Sequence, residues 1–205
     1  GLGAFGGSFA YIHGSDSSGS SNNAVDSDQY ELAAHWRGQW GPLLAFARLS
    51  AAKINFSGTR HFENGDVTRT ADGEWDGDLY SATAGLSYQL QFNRFSLRPA
   101  VGIDYYRLKE DGYAETGGGD AFNLTVLDRT SDETTANGTI TAGYDFGSLN
   151  PADGWVRLEL EGGRRQIIGG SLGDTTAYFK DGDQFTLVSE DRTNGWTGRA
   201  RLYGG

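Results

Sequence analysis

Two carboxylates spaced two residues apart, Glu159 and Glu161, lie between Arg157 and Arg165, and this is the grouping best suited to proton transfer. Alternate positions of a strand share a face, so all four side chains would meet. The placement of both carboxylates between two arginines favours structural charge pairing over general acid–base work. His13, His35 and His61 lack metal-ligand spacing; one falls on a strand and two in loops. Asp76-Gly77-Asp78 and Asp181-Gly182-Asp183 offer oxygens of the kind calcium takes, yet neither has full binding-loop spacing, and both read as solvated turns. Gly117-Gly118-Gly119-Asp120 has no following helix to complete a phosphate cradle, and the serines from Ser15 to Ser21 have no nucleophile-elbow context. We therefore assign no catalytic, cofactor-binding or metal-ligating residue, and expect no cofactor and no enzyme activity.

The elements that carry these residues are strands. From Tyr80 to Phe92 the even positions Tyr80, Ala82, Ala84, Leu86, Tyr88, Leu90 and Phe92 are apolar, whereas the odd ones are small or polar. After a tight turn, Phe95, Leu97, Pro99, Val101, Ile103 and Tyr105 alternate with Ser96, Arg98, Ala100, Gly102 and Asp104. At about 3.3 Å per residue and a tilt of roughly 40°, Phe95 to Tyr105 spans about 25 Å, the height of a transmembrane barrel's apolar band. Aromatics at the strand ends, Tyr30, Trp40, Tyr80, Phe92, Phe95, Tyr105, Phe146 and Trp155, read as two membrane girdles.

Six more spanning strands follow the same rule: Gly1–Tyr11, Tyr30–Trp40, Leu43–Phe56, Asn137–Phe146, Val156–Arg165 and Trp196–Tyr203. In the third strand Ile54 and Phe56 fall on the wrong parity, which predicts a bulge near Ala51-Ala52. Leu124 and Val126 read as an extension above the sixth strand. Polar stretches at 15–27, 58–77, 109–120 and 170–192 are expected to be long exposed loops, and they alternate with short turns. This asymmetry is that of an up-and-down outer-membrane barrel.

The polar face must then be the interior, because a one-residue slip of the seventh strand would put Arg157 and Arg165 in lipid at roughly 2–4 kcal/mol each. The expected lumen-lining set is Glu31, His35, Arg37, Arg48, Arg98, Asp104, Arg157, Glu159, Glu161, Arg165, Arg199 and Arg201.

Composition agrees with this class. The 205 residues include 32 Gly, and a net charge of −10 argues against a nucleic-acid surface. The absence of Cys excludes a disulfide framework. No run of about 18 apolar residues forms a membrane helix, which leaves a strand-built membrane protein open.

Leu97-Arg98-Pro99-Ala100-Val101-Gly102-Ile103-Asp104-Tyr105-Tyr106, then Gly112-Tyr113-Ala114-Glu115-Thr116-Gly117, Phe122-Asn123-Leu124-Thr125-Val126 and the strand from Ile140 to Gly147 resemble the β-barrel translocator domain of autotransporters. Leu2 to Phe9 and Trp155 to Arg165 are similar to that family's Gly-rich and Arg/Glu-bearing strands. The resemblance implies residence in the Gram-negative outer membrane, in contact with its lipid, and insertion with the barrel-assembly machinery. It further implies export and anchoring of a passenger domain carried on the same polypeptide. Asn55-Phe56-Ser57, Asn123-Leu124-Thr125 and Asn137-Gly138-Thr139 match a glycosylation pattern that conflicts with a bacterial barrel. Some family members cut their own passenger with lumenal acids; no residue here matches that motif. The family barrel has about twelve strands and this chain about eight, so residues 1–205 read as one barrel domain incomplete at both ends. Three alternatives stand beside it: a small closed barrel or porin-like channel, a barrel whose acidic surface loops bind a partner, and a soluble β-sandwich.

Overall fold

The computed structural model describes residues 3–18, 23–147, 154–189 and 193–205. The first strand's opening residues 1–2, the middle of the first polar stretch, most of the turn at 147–154 and residues 190–192 lie outside the described residues. The strands are β1 (Ala4–Ser18), β2 (Asn23–Trp40), β3 (Leu43–Asn64), β4 (Val67–Tyr88), β5 (Leu90–Phe92), β6 (Phe95–Glu110) and β7 (Tyr113–Ala114). They continue with β8 (Leu124–Val126), β9 (Arg129–Gly147), β10 (Trp155–Ser171), β11 (Thr175–Phe179), β12 (Phe185–Leu187) and β13 (Gly195–Gly204).

One antiparallel sheet runs β1-β2-β3-β4-β6-β9-β10-β13, with β5 completing the foot of β4 beside β6. Neighbours in the sheet are neighbours among the long strands of the chain, as an up-and-down meander requires. The sheet curls into half a barrel. Strands β1 and β13 are its two edges, and among the described residues they do not pair with each other, so the sheet stays open there. A smaller sheet, β12-β11-β8-β7, stands at the end where the long segments lie.

Each expected spanning strand has its counterpart, with three differences. The predicted bulge near Ala51-Ala52 is absent: Ala51, Ala52 and Lys53 pair without a slip to Leu32, Glu31 and Tyr30 on one side and to Tyr80, Leu79 and Asp78 on the other. Ile54 is 6% exposed and Phe56 stacks on Trp75, so these residues turn to the polar face because an aromatic cluster awaits them there. Second, the strand expected over Tyr80–Phe92 is interrupted at Gln89, whose amide donates to the Pro42 carbonyl at 2.8 Å, and resumes in register as β5. Third, the expected loop 58–77 is a paired hairpin extension from Gly58↔Gly73 to Asn64↔Val67, turned by Gly65 at φ 60°. Pairing likewise runs on to Ser18↔Asn23 in the first polar stretch.

The two faces divide by chemistry. Phe5, Leu32, Leu49, Val101 and Leu202 stand exposed on one side. Ser50, Ser81, Ser96, Thr135, Thr141 and Glu159 are buried on the other. Side chains crowd on the inside of a curled sheet, so the polar face is concave and the apolar face convex.

Candidate functional site, a charged concave face

Register places all twelve singled-out polar residues on the concave face. Directly opposed residues of antiparallel strands share a face, so His35↔Arg48, Arg48↔Thr83, Thr83↔Asp104 and Asp104↔Thr135 form one row across five strands. Arg98↔Thr141, Thr141↔Glu161 and Glu161↔Arg199 form another. Glu31 and Arg37 keep parity with His35; Arg157, Glu159 and Arg165 with Glu161; and Arg201 with Arg199.

Their partners fall into groups. Glu159 accepts from Arg157 Nε at 3.0 Å, lies 3.4 Å from Arg201 Nη1 and 3.9 Å from Arg98 Nη2, and so gathers three guanidiniums from three strands. Arg157 also donates to both oxygens of Asp145, at 3.0 and 2.9 Å, and reaches over β9 to Ser96. That reach requires Gly143, where a Cβ would meet Arg157 Nη2 at 2.5 Å and Ser96 Oγ at 2.6 Å. Arg201 contacts Glu161 at 3.4 Å, whereas Arg165 pairs with Glu133 instead of with the Glu159/Glu161 pair. Across the sheet, Arg48 pairs with Glu31, whose second oxygen accepts from Ser50 at 3.0 Å. Asp104 accepts from Asn137 Nδ2 at 2.9 Å. Among the described residues no carboxylate lies within ion-pair distance of Arg37 or Arg199.

This arrangement solvates and pairs charge. Glu159, Glu161, Asp145 and Glu31 each face at least one guanidinium, so the contacts are those of structural charge pairing. The histidines do not converge: His13 contacts Asp28 at 3.0 Å, His61 contacts Thr70 at 3.0 Å, and His35 lies over Gly6.

Of the eight expected girdle residues, Tyr30, Trp40, Tyr80, Phe92, Phe95, Tyr105 and Phe146 keep the convex parity. Trp155 does not. Its neighbour Val156 opposes Phe146, so Trp155 shares the face of Arg157 and rests at the rim, where its backbone exchanges hydrogen bonds with Gly205. Its position beside a short turn put it in the expected girdle, and the strand's parity overrules that. Convex aromatics missing from the expected set include Tyr11, which meets Tyr30 at 5.3 Å, and Tyr144, which meets Phe146 at 4.7 Å.

The sequence reading missed a second concave cluster above these charges. Phe56, Trp75 and Tyr113 stack, with centroids 5.2 and 4.5 Å apart. Arg60 grips Glu115, and Arg129 grips Glu110 through Nε and Nη2 at 2.6 and 2.8 Å. Both arginines are held above their ordinary pKa, first by those carboxylate hydrogen bonds, and burial raises Tyr113. The misplaced parity of Ile54 and Phe56 was the available signal.

An antiparallel, up-and-down half-barrel with an apolar convex face and a charge-paired concave face defines a transmembrane β-barrel domain of outer-membrane type. The family model for the autotransporter beta-domain matches residues 3–202, and the chain belongs to that family. It is an outer-membrane protein domain of the secretion class. No curated protein matches the chain.

Proposed function

We propose that the concave face lines the passage through which a passenger domain of the same polypeptide is exported, and that the domain afterwards anchors that passenger. An extended chain in transit carries unpaired backbone groups that lipid cannot satisfy, so it needs a wet, polar wall. The observation that carries this reading is the concave charge network: guanidiniums tied to Glu159, Glu161, Asp145 and Glu31 leave a hydrophilic wall with little net charge to capture what passes. The edges of β1 and β13 would expose bare backbone to hydrocarbon, so further strands complete the barrel, and the barrel-assembly machinery inserts it. The domain's work is transport and anchoring, not catalysis.

The test uses the full-length protein in intact cells and reads passenger exposure by added protease. Thr83, on the concave face between Arg48 and Asp104, is replaced by Trp to obstruct the passage. The expected result is a barrel that still migrates as a folded species while its passenger stays protected. Undiminished exposure with T83W, or exposure from a protein lacking residues 3–202, would refute the reading.

A further inference from the structure

Arg164 departs from the chemistry of the face it occupies. It keeps the parity of Val156, Leu158 and Leu160, opposes Gly138 on β9 and Trp196 on β13, and so stands on the convex side. It lies eight residues above Val156 at the foot of its strand. At about 3.3 Å per residue and a tilt of roughly 40°, that is a height of about 20 Å, inside an apolar band about 25 Å tall. Lys53, by contrast, stands ten residues above Leu43, and Arg107 twelve above Phe95. Among the described residues of the spanning strands, no other convex charge stands so low.

A charge that faces lipid needs a partner. The strands on both sides of Arg164 are described, and neither supplies one: among the described residues no carboxylate lies within ion-pair distance of it, and none of its N–H groups meets an acceptor. Its guanidinium instead lies over the Trp196 ring, 5.3 Å from the centroid, and that tryptophan is 80% exposed. A ring face attracts a cation without accepting its N–H groups edge-on, so the fork of donors stays free. The long aliphatic stem lets the charged head rise out of the band, while Trp196 occupies the interface beside it. Below them on the same face come Gly162 and Gly198, where an added Cβ would meet nothing within 4 Å, with Ile140, Leu160 and Leu202 exposed around them.

We propose that Arg164 and Trp196 form a binding site for a lipid with a phosphate headgroup, drawn from the leaflet at the end of the barrel where the long hairpins stand. The guanidinium forks onto two phosphate oxygens, and an acyl chain descends over Gly162 and Gly198. Charge complementarity selects this occupant: Arg164 is a cation without a counter-ion whose head reaches headgroup level, and phosphate is the anion a lipid surface presents there. The site lies outside the barrel and is independent of what passes through the lumen.

The test uses the full-length protein in a nonionic detergent and counts bound lipid by native mass spectrometry. The probe is dioleoyl phosphatidic acid, and the comparison is dioleoylglycerol, which has the same chains and no phosphate. The parent is expected to prefer phosphatidic acid, and Arg164→Gln to weaken that binding about tenfold, the loss of a charge-assisted hydrogen bond. Arg164→Lys keeps the charge and loses the fork, and Trp196→Leu keeps apolar surface and loses the ring; each is expected to weaken binding less than R164Q does, and both decide the matter should R164Q fail to migrate as a folded barrel. Arg107→Gln, at a convex arginine higher on β6, should bind as the parent does. Parental affinity in the Arg164 and Trp196 variants overturns the site, as does a parent with no preference for phosphatidic acid. An equal loss in R107Q also overturns it, as the mark of a diffuse basic surface. So does displacement of the lipid by inorganic phosphate at matching concentration, the mark of a free-anion site.

Discussion

Glu159→Gln removes one negative charge and almost no volume, and the structure says what that charge does. The carboxylate is buried, with three guanidiniums at 3.0, 3.4 and 3.9 Å. Breaking a fully buried ion pair from one side costs about 3–5 kcal/mol. Two facts reduce the figure here: the Arg157, Arg201 and Arg98 side chains keep 21%, 26% and 38% of their exposure, and Asp145 and Glu161 still face two of them. We expect a loss of about 2–3 kcal/mol in unfolding free energy, with screening of the partly exposed cations accounting for the reduction. The assay is reversible urea unfolding of the barrel in detergent or lipid, followed by tryptophan fluorescence. Arg201→Gln in the Glu159→Gln background should then cost less than it does alone, because the charge it removes has lost its partner. A Glu159→Gln loss below about 0.5 kcal/mol, or strict additivity with Arg201→Gln, would refute the reasoning and leave the cluster as surface ion pairing.

Three further outcomes are expected. Leu49→Arg, at an exposed convex position next to the native concave Arg48, should cost about 2–4 kcal/mol in lipid, read by the same unfolding assay, while Arg48→Leu costs less. Gly143→Ala should destabilise by about 1–3 kcal/mol because its methyl displaces Arg157 from Ser96; restoring stability by the further change Arg157→Lys would confirm the clash. Burial raises the Tyr113 pKa, so the native state favours the protonated phenol. That stability is complete below the ordinary tyrosine range and lost as pH climbs through the raised value, so the packing of Tyr113 on Trp75 should loosen at strongly alkaline pH. Tyr113→Phe should abolish this loss and remove one of the steps delayed beyond the ordinary tyrosine range in the tyrosinate absorbance titration.

The membrane-level strands were legible because lipid on one side and water on the other forces period two, as in Tyr80 to Tyr88 and in Phe95 to Tyr105. Above the membrane both faces are wet, so the contrast disappears, and the paired hairpin through Thr68, Thr70 and Asp72 looks like a loop. Charge clusters were legible by face but not by partner. Parity put Arg165 beside Glu161, whereas it pairs with Glu133 on the neighbouring strand. The upper aromatic and Arg60–Glu115 cluster left the faintest signal: that ion pair joins residues 55 apart in sequence, and only the off-pattern Ile54 and Phe56 marked the place.

The long β3–β4 hairpin has a kinetic consequence. Its tip holds Arg60, Glu63, Asp66, Arg69, Asp72 and Glu74 on paired strands and one tight turn. Each charge carried through hydrocarbon costs about 2.5–3.5 kcal/mol on an insertion scale, so the tip faces a barrier on the order of 15 kcal/mol from charge alone. A hairpin of this kind crosses a bilayer at a useful rate only where the bilayer is locally thinned or opened for it. Once it has crossed, the same barrier forbids return. The domain's orientation is then preserved by a ratchet of desolvation, independent of how strongly the folded sheet holds together.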